Sequence, residues 1–245
     1  MERHYTTEQL THDLAALRAT QSSRSRMGLR FLDHHFFLHR LRCKTRGISF
    51  PEVLERPSLL THLDGLILRY RKIDPVTLTS HRLLAHRYYA FQMWYGAVNQ
   101  FRPALAKDIL ERIQPKVGVF DFSAGWGGRC LAAMCMGLPY YGVDSNAKLK
   151  DSYDAMIERV QPTAPVVMTF AAAEDVDPQW SYDCIFTSPP YWTKEQYEGM
   201  PIYASKKDFL ERFLRATVRK AWAHLLPGGT MALNMPEYMY DAVKD

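Results

Sequence analysis

At 245 residues, with 47% apolar and 23% charged side chains, the sequence has the composition of a soluble globular protein and the length of one good-sized domain with a modest appendage. No apolar run approaches the ~20 residues that a membrane helix needs, and the N-terminus lacks the apolar core of a signal peptide. The four cysteines (Cys43, Cys130, Cys135, Cys184) form neither a CxxC pair nor a secreted disulfide framework, so a reducing, intracellular setting, cytoplasmic or nuclear, is expected.

The net charge of +5 is unevenly spread. Residues 1–116 hold 19 Lys/Arg against 10 Asp/Glu, a net of +9, and residues 117–245 hold 12 against 16, a net of −4. A basic front half beside an acidic back half points the front half toward a polyanion. Solvated helix faces are the plainer alternative.

In chain order, Thr6 or Thr7 followed by Glu8 and Gln9 marks a helix start, and Leu10, Leu14 and Leu17 give it one apolar face to about Thr20. Residues 21–26 are a polar break. From Arg18 to Arg46 come eight basic residues (Arg18, Arg24, Arg26, Arg30, Arg40, Arg42, Lys44, Arg46) and one acid, Asp33, with Phe31, His34, His35, Phe36, Phe37 and His39 interleaved. That pattern suits phosphate contact plus base stacking. It equally suits an amphipathic helix that buries its Phe and Leu stripe. His35 and His39 have i,i+4 spacing, but no acidic or cysteine ligand lies at a useful local distance, so no metal site is expected. A turn at 47–51 leads to helices over 51–56 and 58–72. After Asp74-Pro75 another helix spans 80–99, whose Tyr88, Tyr89, Phe91, Trp94 and Tyr95 read mostly as core.

From Phe101 the pattern changes to alternating strands and helices. A helix ends near Gln114-Pro115, and strands follow at 117–122, at 140–143 (ending on Asp144), at 165–170, at 182–186 and at 230–235. Helices over 131–134, 147–160 and 207–226 separate them, the last broken by Leu226-Pro227-Gly228-Gly229. Five strands at this spacing argue for a parallel sheet with right-handed crossovers, preceded by a helical region; the expected division is 1–96 and 97–245.

Two loops carry the chemistry. The first, Asp121-Phe122-Ser123-Ala124-Gly125-Trp126-Gly127-Gly128-Arg129, joins a strand to a helix, the unit by which parallel α/β sheets approach nucleotides. It lacks the Lys-Ser/Thr of a phosphate-cradling loop. Asp144, closing the next strand about twenty positions on, stands where a carboxylate accepts hydrogen bonds from two ribose hydroxyls. Glycines at 125, 127 and 128 let the backbone come close to a ligand. Together these features fit adenosine with an amino-acid tail better than a dinucleotide. The second loop, Thr187-Ser188-Pro189-Pro190-Tyr191-Trp192, follows an apolar strand. Its two prolines donate no ladder hydrogen bond and stiffen an extended elbow, with a hydroxyl and two aromatic faces beside it.

Ser-Pro-Pro-Tyr at 188–191 resembles the catalytic motif of S-adenosylmethionine-dependent methyltransferases that modify exocyclic amines of nucleobases. The glycine loop resembles the first motif of phage- and virus-type DNA methyltransferases of that class. Phe101-Arg102-Pro103 resembles the preceding segment that helps hold the cofactor's methionine end, and Glu195 and Tyr197 resemble the context downstream of the catalytic motif. The resemblance covers roughly residues 97–235; the first ninety or so match nothing nameable.

The resemblance implies a Rossmann-like class I methyltransferase sheet, mostly parallel and lacking its last strands, with an N-terminal helical region. It implies S-adenosyl-L-methionine held by Phe101, Arg102, Pro103, Asp121, Ser123, Ala124, Gly125, Gly127 and Asp144, with Glu174 or Asp175 near the adenine. Ser188 and the Pro189 carbonyl would accept hydrogen bonds from the target amine, Pro190 would stiffen the elbow and Tyr191 would stack an extruded base. Cys184, inside its strand, reads as buried and not as a nucleophile. DNA is the implied partner, with residues 18–46 as the suspected contact. Ser before Pro-Pro-Tyr favours cytosine N4 over adenine N6.

The sequence departs from the class in one respect: two further strands and a target-recognition segment usually follow the strand at 230–235. Two expectations follow: either the chain is truncated or split, or the helical region substitutes for recognition and a second copy or a partner subunit completes the sheet edge. A non-catalytic cofactor- or DNA-binding subunit and an RNA or protein amine methyltransferase are the rival readings.

Overall fold

The computed structural model describes residues 4–192 and 195–244, which divide into two compact units. The helical unit holds residues 37–99 with 195–197; the sheet unit holds 4–36, 100–192 and 198–244. No helix among the described residues is long and apolar enough to cross a membrane.

In the sheet unit, α1 (Thr7–Ala19) opens on a capping box in which the Gln9 N–H donates to Thr6 Oγ1 and the Thr6 N–H to Gln9 Oε1. One boundary falls at 99/100, near the expected division at 96, and residues 4–36 group with the sheet and not with the helices that follow them. The ties are specific. Lys107 donates to the Thr20 carbonyl at 2.8 Å, Arg18 to the Val160 carbonyl at 3.4 Å, and buried Asp13 accepts from the Phe31 N–H at 3.0 Å.

The second helix, α2 (Leu29–Arg42), belongs to the sheet unit up to Phe36 and to the helical unit beyond it. Its aromatic stripe is core: Phe31, Leu32, Phe36, Phe37 and Leu41 are buried, so these rings do not offer stacking faces to a base. Arg24, Arg26, Arg30, Arg42 and Arg46 remain exposed.

The helical unit continues with α3 (Phe50–Leu54), α4 (Pro57–Leu66) and α5 (Ser80–Tyr95), and a two-residue antiparallel pair joins Lys44–Thr45 to Glu195–Gln196. A π turn, Ile67–Arg71, extends α4. The α5 helix stops before residue 99, at Gly96, whose φ of 105° lies outside helical space. Phe37, Phe50, Val53, Leu63, Tyr88 and Phe91 form this unit's own core.

The sheet itself has five parallel strands: β1 (Val119–Asp121), β2 (Tyr140–Asp144), β3 (Val166–Phe170), β4 (Tyr182–Thr187) and β5 (Leu225–Leu233). Their spatial order is β3-β2-β1-β4-β5, the Rossmann-like doubly wound arrangement. Helices α6 (Pro103–Ile113), α7 (Gly128–Cys135) and α8 (Lys150–Val160) flank it, as does a longer helix that passes from Lys206–Asp208 through the π segment Phe209–Arg215 into Ala216–Ala223. Phe120, Phe122, Tyr182, Ile185, Phe209 and Leu214 pack one core, with the Phe120 ring stacked on Tyr182 at 4.8 Å. Asp183 ties β4 to the start of β1. Against the push of burial, the N–H groups of Lys116, Val117 and Gly118 hold its carboxyl below the usual carboxylate range.

One strand differs from expectation. β5 starts at Leu225, not at Thr230, and carries Pro227-Gly228-Gly229 within it. Leu225 pairs with Tyr182 and Thr230 with Cys184, so the extra residues loop out as a bulge. The strand tolerates a proline because it pairs only with β4 among the described residues, and an edge strand need not donate on its outer side.

Candidate active site

In the order β3-β2-β1-β4-β5 the chain winds outward from β1 to β3 and then returns to lay β4 against the other side of β1. That reversal opens a crevice beyond the carboxyl ends of β1 and β4, the place where open α/β sheets bind ligands. The glycine loop leaves β1 there and the proline elbow leaves β4. The register Val119–Cys184 and Phe120–Ile185 brings the two loops out side by side on one edge. Asp144 at the end of β2 and Glu174 just after β3 face the same edge by parallel topology.

The glycine loop is held from beneath by Asp121, and this corrects the expectation that Asp121 meets a cofactor. Its side chain is fully buried and saturated: Arg129 donates through Nε at 2.7 Å and Nη2 at 3.2 Å, Tyr140 through its hydroxyl at 2.6 Å, and the Ser123 N–H at 3.2 Å. Arg129 also holds the Ser123 carbonyl at 2.5 Å, and the Ala124 N–H donates to the Val143 carbonyl at 2.9 Å. Ala124 is itself buried, so Asp121 and Ala124 shape the loop without touching its open side.

The glycines divide in the same way. A Cβ on Gly127 would meet Phe36 at 2.9 Å and Met156 at 3.1 Å, and one on Gly128 would meet the Phe101 carbonyl oxygen at 2.1 Å. The space on the Cβ side of these two is filled by protein, so no side chain fits there. Gly125 (φ +60°) has nothing beyond its own loop near its missing Cβ, so the backbone is open to a ligand at this position. Its N–H donates to Asp144 Oδ2 at 2.7 Å while the Asn146 N–H donates to Oδ1 at 2.9 Å. Each Asp144 oxygen keeps a further lone pair. Burial raises the Asp144 carboxyl to about 6 despite both donors.

The close approach of Phe101 to Gly128 seats residues 100–103 against the start of α7. The Phe101 ring meets Phe186 edge-on at 5.5 Å and the Arg129 guanidinium lies 5.2 Å from its centre. A cavity of about 410 Å³ opens beside it, with Leu105, Ile109, Phe186, Ala232 and Leu233 as its apolar wall and Gln100, Arg102 and Asn234 as its polar one. The Arg102 guanidinium has no hydrogen-bond or ionic partner among the described residues. Gln100, which the sequence reading missed, donates through Nε2 to Asp33 at 3.3 Å and leaves Oε1 buried without a partner. Pro103 is buried at the first turn of α6 and sets the direction of Arg102. Gly125 and Asp144 lie outside the lining of this cavity.

Asn234, just past β5, organises the elbow and was also missed. Its Nδ2 donates to Ser188 Oγ at 3.0 Å and to the Tyr191 hydroxyl at 3.3 Å; its backbone carbonyl accepts from those two hydroxyls at 3.2 and 3.4 Å. With its proton spent on a carbonyl and one lone pair on an amide, Ser188 presents a single remaining lone pair, as an acceptor. The sequence signal was faint: a polar residue ending the apolar run Thr230-Met231-Ala232-Leu233. Pro189 is buried and Pro190 half-buried. Trp192 packs on Phe209 at 5.5 Å, and its backbone N–H donates to the Tyr238 hydroxyl at 3.2 Å, so it is part of the core's edge. Cys184 is fully buried, and burial pushes its thiol up to about 12. Glu174 accepts from the Tyr203 hydroxyl at 2.6 Å through Oε1, and its Oε2 is buried without a partner. The Glu195 side chain falls outside the described residues.

No protein-family model and no curated protein matches the sequence. Among solved structures the chain is similar to TrmN from Thermus thermophilus (18% identity, TM-score 0.45, 96% of this chain and 88% of that one). It is similar too to TehB from Haemophilus influenzae (15%, 0.41, 59% and 43%) and to the glycopeptide N-methyltransferase MtfA (15%, 0.40, 55% and 54%). The chain thus spans about half the length of TehB and of MtfA.

Proposed function

We propose that this chain transfers a methyl group from S-adenosylmethionine to an exocyclic amine of a DNA base, cytosine N4 before adenine N6. The observation that carries the reading is the side-by-side exit of the glycine loop and the Ser-Pro-Pro-Tyr elbow at the reversal point of the sheet. A donor site and an acceptor site at one edge are what a direct transfer requires.

The residues present fit the cofactor. Asp144 offers two lone pairs to ribose hydroxyls, and Gly125 leaves its backbone open beside it. In the cavity, the unpartnered guanidinium of Arg102 and the orphaned Gln100 Oε1 complement the carboxylate and ammonium of an amino-acid tail. The orphaned Glu174 Oε2 suits an adenine amine. Bound there, the cofactor supplies a methyl group activated by its sulfonium. The chain's own part is orientation: Ser188 Oγ and the Pro189 carbonyl accept the N–H bonds of the target, drawing its lone pair out of conjugation with the ring. Tyr191 gives a face for an extruded base, and the exposed arginines between residues 24 and 46 supply phosphate contacts.

The test is tritium transfer from labelled S-adenosylmethionine to DNA, with nucleoside mass spectrometry to name the base. Ser188→Ala is expected to lower transfer about 10²- to 10³-fold with cofactor binding by calorimetry nearly unchanged. Label entering only RNA or protein overturns the DNA assignment, and cofactor binding with no transfer to any acceptor overturns the enzymatic one.

A further inference from the structure

We propose that the helical unit carries a platform for unpaired nucleobases, built from the π turn Ile67–Arg71 and the exposed side of α5. Residues 37–99 hold ten Lys/Arg against four Asp/Glu, a net of +6, while the whole chain has +5. Three of those acids are engaged locally. Asp64 takes Arg87 in a two-pronged pair at 2.7 and 2.6 Å, Glu52 takes Lys44 at 2.8 Å, and Asp74 accepts from the Val76 N–H at 3.0 Å. Arg69, Arg71, Lys72 and Arg82 are exposed and have no acidic partner among the described residues.

Large flat side chains stand among these cations in solvent, although the unit has a core that could have taken them. The α5 helix sends Tyr88 and Phe91 inward and leaves Tyr89, Met93 and Trp94 out, at 43%, 47% and 46% exposure; Tyr70, in the π turn, is 54% exposed. The Arg71 guanidinium lies 4.6 Å from the centre of the Tyr89 ring and that of Arg69 lies 5.4 Å from Tyr70. Stacking on a ring restrains a guanidinium without neutralising it, so each pair keeps its charge for a phosphate. Uncompensated cations interleaved with exposed rings match a polyanion that has π-faces. A ring can stack only on a base that is not already enclosed in a duplex, so the partner is a single strand or an opened segment. A protein would use the rings as anchors, but four unpaired cations favour the phosphate-bearing partner.

This inference concerns the helical unit alone, and its test omits S-adenosylmethionine, so its failure and that of the methyl-transfer reading are separable. Fluorescence anisotropy of a labelled oligothymidylate is measured on the full chain, beside a duplex of equal length. The single strand is expected to bind more tightly than the duplex. Tyr89→Ala with Trp94→Ala weakens single-strand binding about tenfold or more and leaves the salt dependence unchanged. Arg69→Gln with Arg71→Gln lowers the slope of log affinity against log salt by about 1.4, at ~0.7 per phosphate contact. Circular dichroism melting checks that the variants stay folded, and Arg71→Lys, which keeps the charge, is expected to keep the slope. No binding, a duplex bound as tightly as the single strand, or an aromatic double variant that binds like the parent each overturns the proposal; the last marks the rings as a protein-docking face.

Discussion

Asp121 and Asp144 end neighbouring strands of the same sheet, are the same residue type and face the same rim, yet their surroundings differ. Asp121 is enclosed by a guanidinium, a phenol and a backbone N–H, and no part of it reaches solvent. Asp144 has two backbone donors and, among the described residues, no cation within hydrogen-bond reach. A buried carboxylate with a matched cation holds a fold together. At Asp144 burial outweighs two backbone donors, so the carboxyl is harder to ionise than a free one and keeps capacity for hydrogen bonds from outside. Strand-end position therefore does not decide which of the two keeps free acceptor capacity; the Arg129 clamp does.

The strongest way to break this contrast is to remove one partner of the clamp. Asp121→Ala leaves the Arg129 charge buried and unpaired, and the expected loss is about 3–5 kcal/mol of unfolding free energy in urea titration. Asp144→Ala, lacking such a partner, is expected to cost far less. Comparable losses at the two sites would erase the distinction. Next in size is Gly128→Ala, whose Cβ would sit 2.1 Å from the Phe101 carbonyl. Backbone must yield there, at about 1–3 kcal/mol, and the displaced residues 100–103 should also weaken cofactor affinity in calorimetry. A variant with parental stability would show that this contact relaxes freely.

Asn234→Ala sharpens the comparison at the elbow. It removes a hydrogen bond worth about 1–1.5 kcal/mol to Ser188, so turnover should fall about tenfold, and cofactor affinity should fall less, although Asn234 also lines the cavity. A change in affinity without a change in turnover would move Asn234 from the acceptor side to the cofactor side.

How much of this was legible in the sequence follows from what each feature depends on. The strand–glycine–helix unit was readable because a buried strand needs a continuous apolar run and Gly125 needs positive φ, both local requirements. The elbow was readable because Pro189 and Pro190 act on their own backbone. The role of Asp121 was not, since it depends on Arg129 folding back from α7 and on Tyr140 from another strand. Neither were Gly127 and Gly128, whose neighbours Phe36, Met156 and Phe101 come from three separate segments. The Phe stripe of α2 had two readings, and only the surrounding core chose between them. Asn234 and Gln100 were missed for the same reason, because their partners lie 46 and 67 residues away in the chain.

The smallest effect tests Asp144 itself. Burial raises its folded-state pKa from 3.8 to about 6, so between those values the folded chain holds a proton that the unfolded chain has released. Its contribution to stability is therefore fully present below the lower value and is lost as pH rises through the upper one; Asp144→Asn should remove that slope. Ligand binding runs the other way. Two ribose hydroxyls need a carboxylate to accept them, so cofactor affinity should weaken about twofold at pH 6 and about tenfold at pH 5 relative to neutral pH, the pattern of a single linked proton. Calorimetry in buffers of differing ionisation enthalpy near pH 6 should register proton release on binding to the parent chain and none on binding to the Asn variant. If the two proteins share one pH profile, Asp144 is no more a ligand group than Asp121, and the division between clamp and rim falls.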